Sequence, residues 1–585
     1  MAATPRIIVV GGGLAGLMAT IKVAEAGVPV DLFSLVPVKR SHSVCAQGGI
    51  NGAVNTKGEG DSPWEHFDDS IYGGDFLANQ PPVKAMCDAA PGIIYLLDRM
   101  GVTFNRTPEG LLDFRRFGGT KHHRTAFAGA TTGQQLLYAL DEQVRRHEAD
   151  HKVTKYETWD MMSPVLDDEG RCVGIIAQEL NSMEIRESRA DAVIMATGGN
   201  GLVFGRSTLS QICHGSAAAS AYQHGVKYAN GEFIQVHPTA IPGEDKLRLM
   251  SESARGEGGR VWVPKDGKPW YFLEEMYPAY GNLVPRDIAT RAIFKVVTEM
   301  GLGVDGKRQV YLDVSHMPTE VLNKKLGGIL EIYEKFVGEG PRKGPMRIFP
   351  AVHYSMGGLW VDFDQMTNIP GLFAVGECEY QYHGANRLGA NSLLSTIYSG
   401  MVAGPNAVRW SKNQKNAASE VSANVFNREK SAQETLMQTI YGMKGTENPH
   451  VIHEEMGNSM TDNVTVVRHN TRIQTTIDTL HDLKARWHKI GIDDSSTWSN
   501  RQAIFTRHLK NMLDLAQVIA VGALMRDESR GAHYKPDFPE RNDEQFLKTT
   551  IANYTPDGPK ISYEAVDTSL IVPRTRNYDV EKKVS

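Results

Sequence analysis

The chain has 585 residues, with 63 Lys and Arg against 68 Asp and Glu and a formal charge of −5. That length suggests about four domain-sized units, and a near balance of charge without a basic tail or a block of like charge argues against a nucleic-acid partner. The five cysteines, Cys45, Cys87, Cys172, Cys213 and Cys378, are far apart and form no C-x-x-C, so neither a disulfide framework nor a resident iron–sulfur cluster is expected.

Ile7-Ile8-Val9-Val10 reads as a buried parallel strand. Gly11-Gly12-Gly13-Leu14-Ala15-Gly16 follows at once and fits G-x-G-x-x-G, with a helix expected over 17–26 and a second strand over 28–33. A dinucleotide needs glycines in these places: Gly11 for the tight turn, Gly13 for approach to the pyrophosphate and Gly16 for helix–strand packing. The helix N-terminus then faces the phosphates. A glycine turn made only for packing is the alternative. Ser34 ends the second strand, where many dinucleotide proteins carry an acidic ribose ligand. Residues 1–6 show no secretory pattern. The longest uncharged apolar run, 7–21, is broken by glycine and too short to span a bilayer.

The segment 40–50 is a loop of small residues around a single imidazole, His42. Helices are expected from 64 and over 82–100 and 132–146. Between them lies a basic loop with Arg115, Arg116, His122, His123 and Arg124. Adjacent histidines rarely face one metal, and no carboxylate or cysteine cluster accompanies them, so no metal is expected. Strands follow over 155–162 and 173–179. Ala192-Val193-Ile194-Met195 runs into the turn Ala196-Thr197-Gly198-Gly199, which is either a cofactor contact or an ordinary strand exit.

The order of elements changes at Val236-His237-Pro238-Thr239 and reverts after Phe349, which marks 237–349 as an inserted capping domain. A helix starts at Pro285-Arg286 and runs to Met300. The strand 372–376 ends at Glu377, a hydrogen-bond acceptor for a cofactor. Residues 384–394 open another helix, whose positive end suits an electron-rich ring. A polar linker is expected over 411–420. Ile473, Ile477, Leu480, Trp487 and Ile490 share a helical face, and 509–525 is a buried packing helix. A tail begins at Glu528. There is no internal repeat. His237, Arg255, Arg286, His353 and Arg387 lie in small-residue contexts; converging on one cleft, they would suit a dianion. Taken singly, each is more often a structural ion-pair or hydrogen-bond partner.

Several motifs carry a family likeness: His42 with Ala46-Gln47-Gly48-Gly49, His237-Pro238-Thr239, Ser251-Glu252-Ser253-Ala254-Arg255, Pro285-Arg286-Asp287, His353-Tyr354-Ser355-Met356-Gly357-Gly358 and Asn386-Arg387-Leu388-Gly389. Over nearly its whole length the chain resembles the flavoprotein subunit of succinate dehydrogenase and fumarate reductase. The resemblance implies an α/β fold. A Rossmann-like FAD-binding domain (1–236 and 350–410) holds the inserted α+β cap (237–349), followed by a helical domain (411–527) and a C-terminal domain (528–585).

The likeness further implies FAD covalently bonded to His42. The cofactor contacts would be Gly11, Gly13, Leu14, Ala15, Gly16, Ser34, Ser41, Gln47, Gly48, Gly49, Thr197, Gly198, Glu377, Ser392 and Leu393. It implies succinate–fumarate interconversion, with hydride transfer to or from FAD. Arg286 would carry the proton and relay it through Glu252 and Arg255, while Phe104, His237, Ser251, His353 and Arg387 bind the dicarboxylate. Partners implied are an iron–sulfur subunit and, through it, a membrane anchor with quinone, which places the chain peripherally on the cytoplasmic side of the membrane.

Three positions depart from the family pattern: Ser251 for threonine, Ser34, and Ser216 where some relatives carry aspartate near FAD. A fumarate reductase running mainly in the reducing direction, an L-aspartate oxidase and a non-catalytic flavin-binding scaffold remain the alternatives. The covalent histidine argues against the oxidase. The intact set His237, Glu252, Arg255 and Arg286 argues against the scaffold.

Overall fold

The computed structural model describes residues 5–120, 122–243 and 247–578; most of the lead-in before the first strand lies outside the described residues. Seven strands and four helices build the site. The strands are β1 (Ile7–Val10), β2 (Val30–Ser34), β3 (Val153–Glu157), β4 (Ala192–Met195), β5 (Ile234–Ile241), β6 (Met346–Ser355) and β7 (Leu372–Ala374). The helices are α1 (Leu14–Glu25), α2 (Ser253–Gly256), α3 (Arg286–Phe294) and α4 (Asn391–Lys412).

A five-stranded sheet in the order β7-β4-β1-β2-β3 is parallel throughout. Its central strands β1 and β4 are buried at every position, as an apolar run covered on both faces must be. α1 begins at Leu14, three residues earlier than expected, so Gly16 lies inside the helix. A Cβ on Gly16 would sit 1.8 Å from the carbonyl oxygen of Gly11. That contact lets the helix lie directly on the turn, and its first-turn amides face outward from the strand end.

A six-stranded sheet carries the cap. β5 and β6 pair antiparallel, with Ile234 opposite Ser355 and His237 opposite Ala351. Both strands run through the expected cap borders, at 236/237 and 349/350, so the two units share a continuous ladder. Register shifts fall between Gln235 and Val236 and between His237 and Ala240. The second accommodates Pro238, which has no N–H to give to the ladder.

The remaining elements mostly follow the sequence pattern. Four helices, Ala423–Tyr441, Pro449–Val464, Asn470–Trp487 and Arg501–Met525, form the helical region, and Ile473, Ile477, Leu480, Trp487 and Ile490 are all buried. Among the described residues no helix is long and apolar enough to cross a membrane.

Three local expectations change. The strand read over 155–162 breaks at Thr158, whose φ is +64°. The part before the break joins the parallel sheet, and Trp159–Leu166 joins a separate antiparallel one. The helix expected from 384 begins only at Asn391, after Ala390 in the left-handed region. The linker at 411–420 starts with the end of α4 and includes a turn held by Asp191, which accepts from the Ala418 N–H at 2.7 Å.

Gly16→Ala should push α1 off the turn at about 1–3 kcal/mol, the usual cost of overpacking. A thermal melt and flavin content after gel filtration check this: the midpoint and the bound flavin should both fall.

Candidate active site

Two adjoining cavities meet at the C-terminal ends of the parallel strands. The first is a slot lined by Gly11, Gly13, Leu14 and Ala15 at the start of α1, by Ser34 and Ser41, and by Thr197, Gly198 and Glu377. The second, about 440 Å³, is lined by Gln47, Gly48, Gly49, His237, Ser251, Glu252, Arg286, His353, Arg387, Ser392 and Leu393. His42, Ser43, Glu377 and Thr396 line both. A molecule that fills the slot therefore ends against His42 and forms one wall of the larger cavity.

The slot fits a dinucleotide. Gly13 caps α1 with no side-chain hydrogen bond and no acidic residue follows in the first turn, which leaves the positive helix end to an anion. Gly198 has φ +76° and nothing within 4 Å of where a Cβ would stand; a side chain there would occupy the slot. The Thr197 hydroxyl is buried without a partner. Ser34 donates to the Val36 carbonyl at 2.6 Å, which leaves its oxygen to accept from a ribose. Ser216 also lines the slot, and its hydroxyl accepts from Asn511 at 2.7 Å. Glu377 behaves differently from the expected acceptor carboxylate. Burial pushes its pKa up to about 8 against the opposing pull of the Ser355 N–H. It is therefore a neutral carboxyl at pH 7, able to donate as well as accept.

The larger cavity gathers the predicted cationic residues from four parts of the chain. β5 and β6 supply His237 and His353, whose rings meet edge to face at 4.9 Å. α3 begins with Arg286, and the loop before α4 supplies Arg387. Arg286 donates through Nε to Glu252 at 2.6 Å and through NH1 to Gln235 Oε1 at 2.9 Å. Arg387 NH2 donates to the same Gln235 oxygen at 3.0 Å. On α2, Arg255 donates to the other Glu252 oxygen at 2.9 Å, so the expected pairing one helical turn apart is present. Arg255 NH1 also donates to the Asn282 carbonyl at 2.8 Å.

The charges in this cavity do not cancel. Burial opposes the Glu252 carboxylate, but Arg286 and Arg255 outweigh it and hold its pKa below the usual value. Burial and then Arg286 depress His237 and His353 well below 6.5, so both are neutral. Burial and the nearby Arg286 lower Arg387 to about 9. The cavity wall carries Arg248, Arg286 and Arg387 against the Glu252 carboxylate, with Arg255 behind Glu252 and Glu377 neutral. The wall is left with an excess of positive charge, which suits an anion.

The structure places most predicted residues on these two walls. Gly16 packs behind the slot and Arg255 behind Glu252, and neither lines a cavity. Phe104 does not reach the cavity: it is buried in the main apolar core, and Phe117 lines the cavity instead. Thr208 and Thr396, also unpredicted, line it as well, and Thr208 Oγ1 contacts His353 Nδ1 at 2.6 Å. Gln235, which holds the arginines, and Asn386, which holds Gln235, were given no role by sequence. The available signal was a lone Gln two residues before His237 in an apolar strand, hence on the same face in a regular strand. No group of three or more metal-binding side chains occurs among the described residues.

Because native Glu377 keeps its proton to about pH 8 while the unfolded chain releases it near 4.5, its stabilising contribution is full below 4.5 and lost as pH rises to 8. The Tm of Glu377→Gln should therefore fall less steeply between pH 5 and 8 than that of the unmodified chain. Differential scanning calorimetry reads this, and parallel slopes would contradict it.

Comparison with known proteins agrees with this geometry. An FAD binding domain model matches residues 6–393, and a fumarate reductase flavoprotein C-terminal model matches 453–578. The succinate dehydrogenase flavoprotein subunit of Bacillus subtilis (strain 168) is 68% identical over 98% of this chain and 99% of that protein. The fumarate reductase flavoprotein subunit of Serratia sp. (strain ATCC 39006) is 36% identical over 98% and 96%. A solved mutant E. coli quinol fumarate reductase superposes with a TM-score of 0.92 at 33% identity, covering 99% of each chain. The chain belongs to the FAD-dependent flavoprotein-subunit family of succinate dehydrogenases and fumarate reductases.

Proposed function

We propose that this chain interconverts succinate and fumarate in a succinate:quinone oxidoreductase, with FAD bonded to His42. The observation that carries the reading is the excess of positive charge in a cavity that opens onto His42. A dicarboxylate meets more of that excess than a monocarboxylate does.

Bound FAD supplies a two-electron carrier at the wall between the two cavities. Ser210 N–H donates to His42 Nδ1 at 3.2 Å, which orients the imidazole. Arg387 and His353 hold one substrate carboxylate. His237, whose Nδ1 accepts from the Thr239 N–H at 3.1 Å, and Ser251 hold the other. With Nε on Glu252 and NH1 on Gln235, Arg286 has its NH2 left to face the substrate carbon. It gives or takes the proton there, and Glu252 and Arg255 pass it toward the cap surface. Arginine is an unusual acid, with a pKa above about 12. A carbanion-like carbon is basic enough to accept from it, and the Glu252 carboxylate stabilises the restored cation.

Electrons leave through a partner. The cysteines here are dispersed and four of the five are buried, so the proposal places the clusters on an iron–sulfur subunit. That subunit docks on a membrane anchor carrying quinone, with this chain peripheral on the cytoplasmic side.

Arg286→Lys should keep dicarboxylate binding but lose at least about a hundredfold in kcat, the scale of a lost general acid. Arg387→Lys should instead raise KM by about tenfold or more. Steady-state kinetics with a soluble dye separates the two, and near-normal kcat in Arg286→Lys would make Arg286 only a clamp. For the cofactor, flavin should stay with the polypeptide after acid precipitation, and His42→Ser should release it. Complete release from the unmodified chain would rule out the bond.

A further inference from the structure

The Arg286 site is tied to the far end of the chain. Asp287, the residue after Arg286, has a side chain only 1% exposed and takes no part in the chemistry above. Its Oδ1 accepts from Asn386 Nδ2 at 3.1 Å, and its Oδ2 accepts from Arg576 at 2.6 Å and from Arg291 at 3.2 Å. Asn386 closes a ring: its own Oδ1 accepts from Gln235 Nε2 at 3.0 Å, and Gln235 Oε1 holds Arg286 and Arg387. The Asp287 carboxylate therefore lies one hydrogen bond from the ring that aims both guanidiniums.

Arg576 joins this ring to the FAD-binding part. Its NH1 donates to the Gly73 carbonyl at 3.1 Å, which also accepts from Asn386 at 3.3 Å, and its Nε lies 3.3 Å from Asp75. The tail does not depend on Arg576 for its seat. On one side Arg574 is paired with Asp68 at 2.7 Å. On the other, Asn577 N–H donates to Tyr72 at 2.6 Å, and Tyr578 packs edge-on to Tyr72 and Tyr280. Arg576 is the guanidinium that spans cap and FAD-binding part directly behind Arg286.

We propose that Arg576, in the C-terminal tail, is a positioning residue for Arg286: it fixes the Asp287 carboxylate against Asn386 and so sets how α3 presents the Arg286 guanidinium to the cavity. Removing it leaves a buried carboxylate with one fewer cation, and Asp287 turns toward Arg291. That turn carries the first residue of α3 with it, and a shift of about 1 Å at a reacting group costs on the order of a hundredfold.

The test is kcat per bound flavin in the holoenzyme for Arg576→Met, Arg576→Lys, Asp287→Asn and the double variant Arg576→Met/Asp287→Asn. The expected result for Arg576→Met is a loss of about 30- to 100-fold in kcat, with KM within about threefold and flavin content unchanged. Arg576→Lys, which keeps the charge but not the fork, should fall in between. The double variant should be no slower than Asp287→Asn alone, because both act through one contact.

If Arg576→Met does not fold, Arg576→Lys decides. A kcat per flavin within twofold of the unmodified enzyme overturns the proposal, as does a fall in flavin content that accounts for the whole loss. The inference rests on Arg286 as proton carrier. Normal turnover in Arg286→Lys removes that premise, whereas a crippled Arg286→Lys beside a normal Arg576→Met rejects only the role of Arg576.

Discussion

One side-chain oxygen holds the centre of this molecule together. Gln235 Oε1 accepts from both Arg286 and Arg387, at 2.9 and 3.0 Å. Two buried cations repel: at 4 Å and an effective dielectric of about 20 the cost is roughly 4 kcal/mol. Shared acceptance by a neutral amide keeps them side by side without cancelling either charge. Glu252 then balances Arg286 and Arg255, and the remaining excess is what a dianion meets. A carboxylate at 235 would cancel part of that excess. An apolar residue would leave buried donors without acceptors.

The fold serves this arrangement through continuity. β5 and β6 pair across the borders expected for the cap, which places His237 and His353 on one ladder. The parallel sheet brings the glycine turn, Thr197 and Glu377 to one edge, and α1 turns its positive end toward the same slot. The slot and the charged cavity share a wall at His42.

Residues that carry chemistry by their own charge or shape were legible in the sequence. The glycines of the first turn, His42, and the scattered arginines and histidines all stand out by residue type and local setting. Residues that act through others did not. Gln235, Asn386 and Asp287 have no motif chemistry of their own, and their value comes from hydrogen bonds between segments more than fifty residues apart. Phe104 and Phe117 cannot be told apart by aromatic character; only packing sends the first into the core and the second to the cavity. Glu377 looked like an acceptor because sequence shows the carboxyl but not the burial that keeps its proton. The break at Thr158 was hidden because apolar residues continue across it while one positive φ moves the chain between sheets.

The central claim is that Arg286 faces the substrate carbon while Arg387 grips a carboxylate. A crystal structure of the FAD-loaded chain with fumarate tests it most directly. The account expects fumarate in the cavity beside His42, one carboxylate on Arg387 and His353, and the Arg286 NH2 within reach of an alkene carbon while Nε stays on Glu252. Fumarate gripped by both arginines through its carboxylates, with no guanidinium nitrogen facing the double bond, would contradict it.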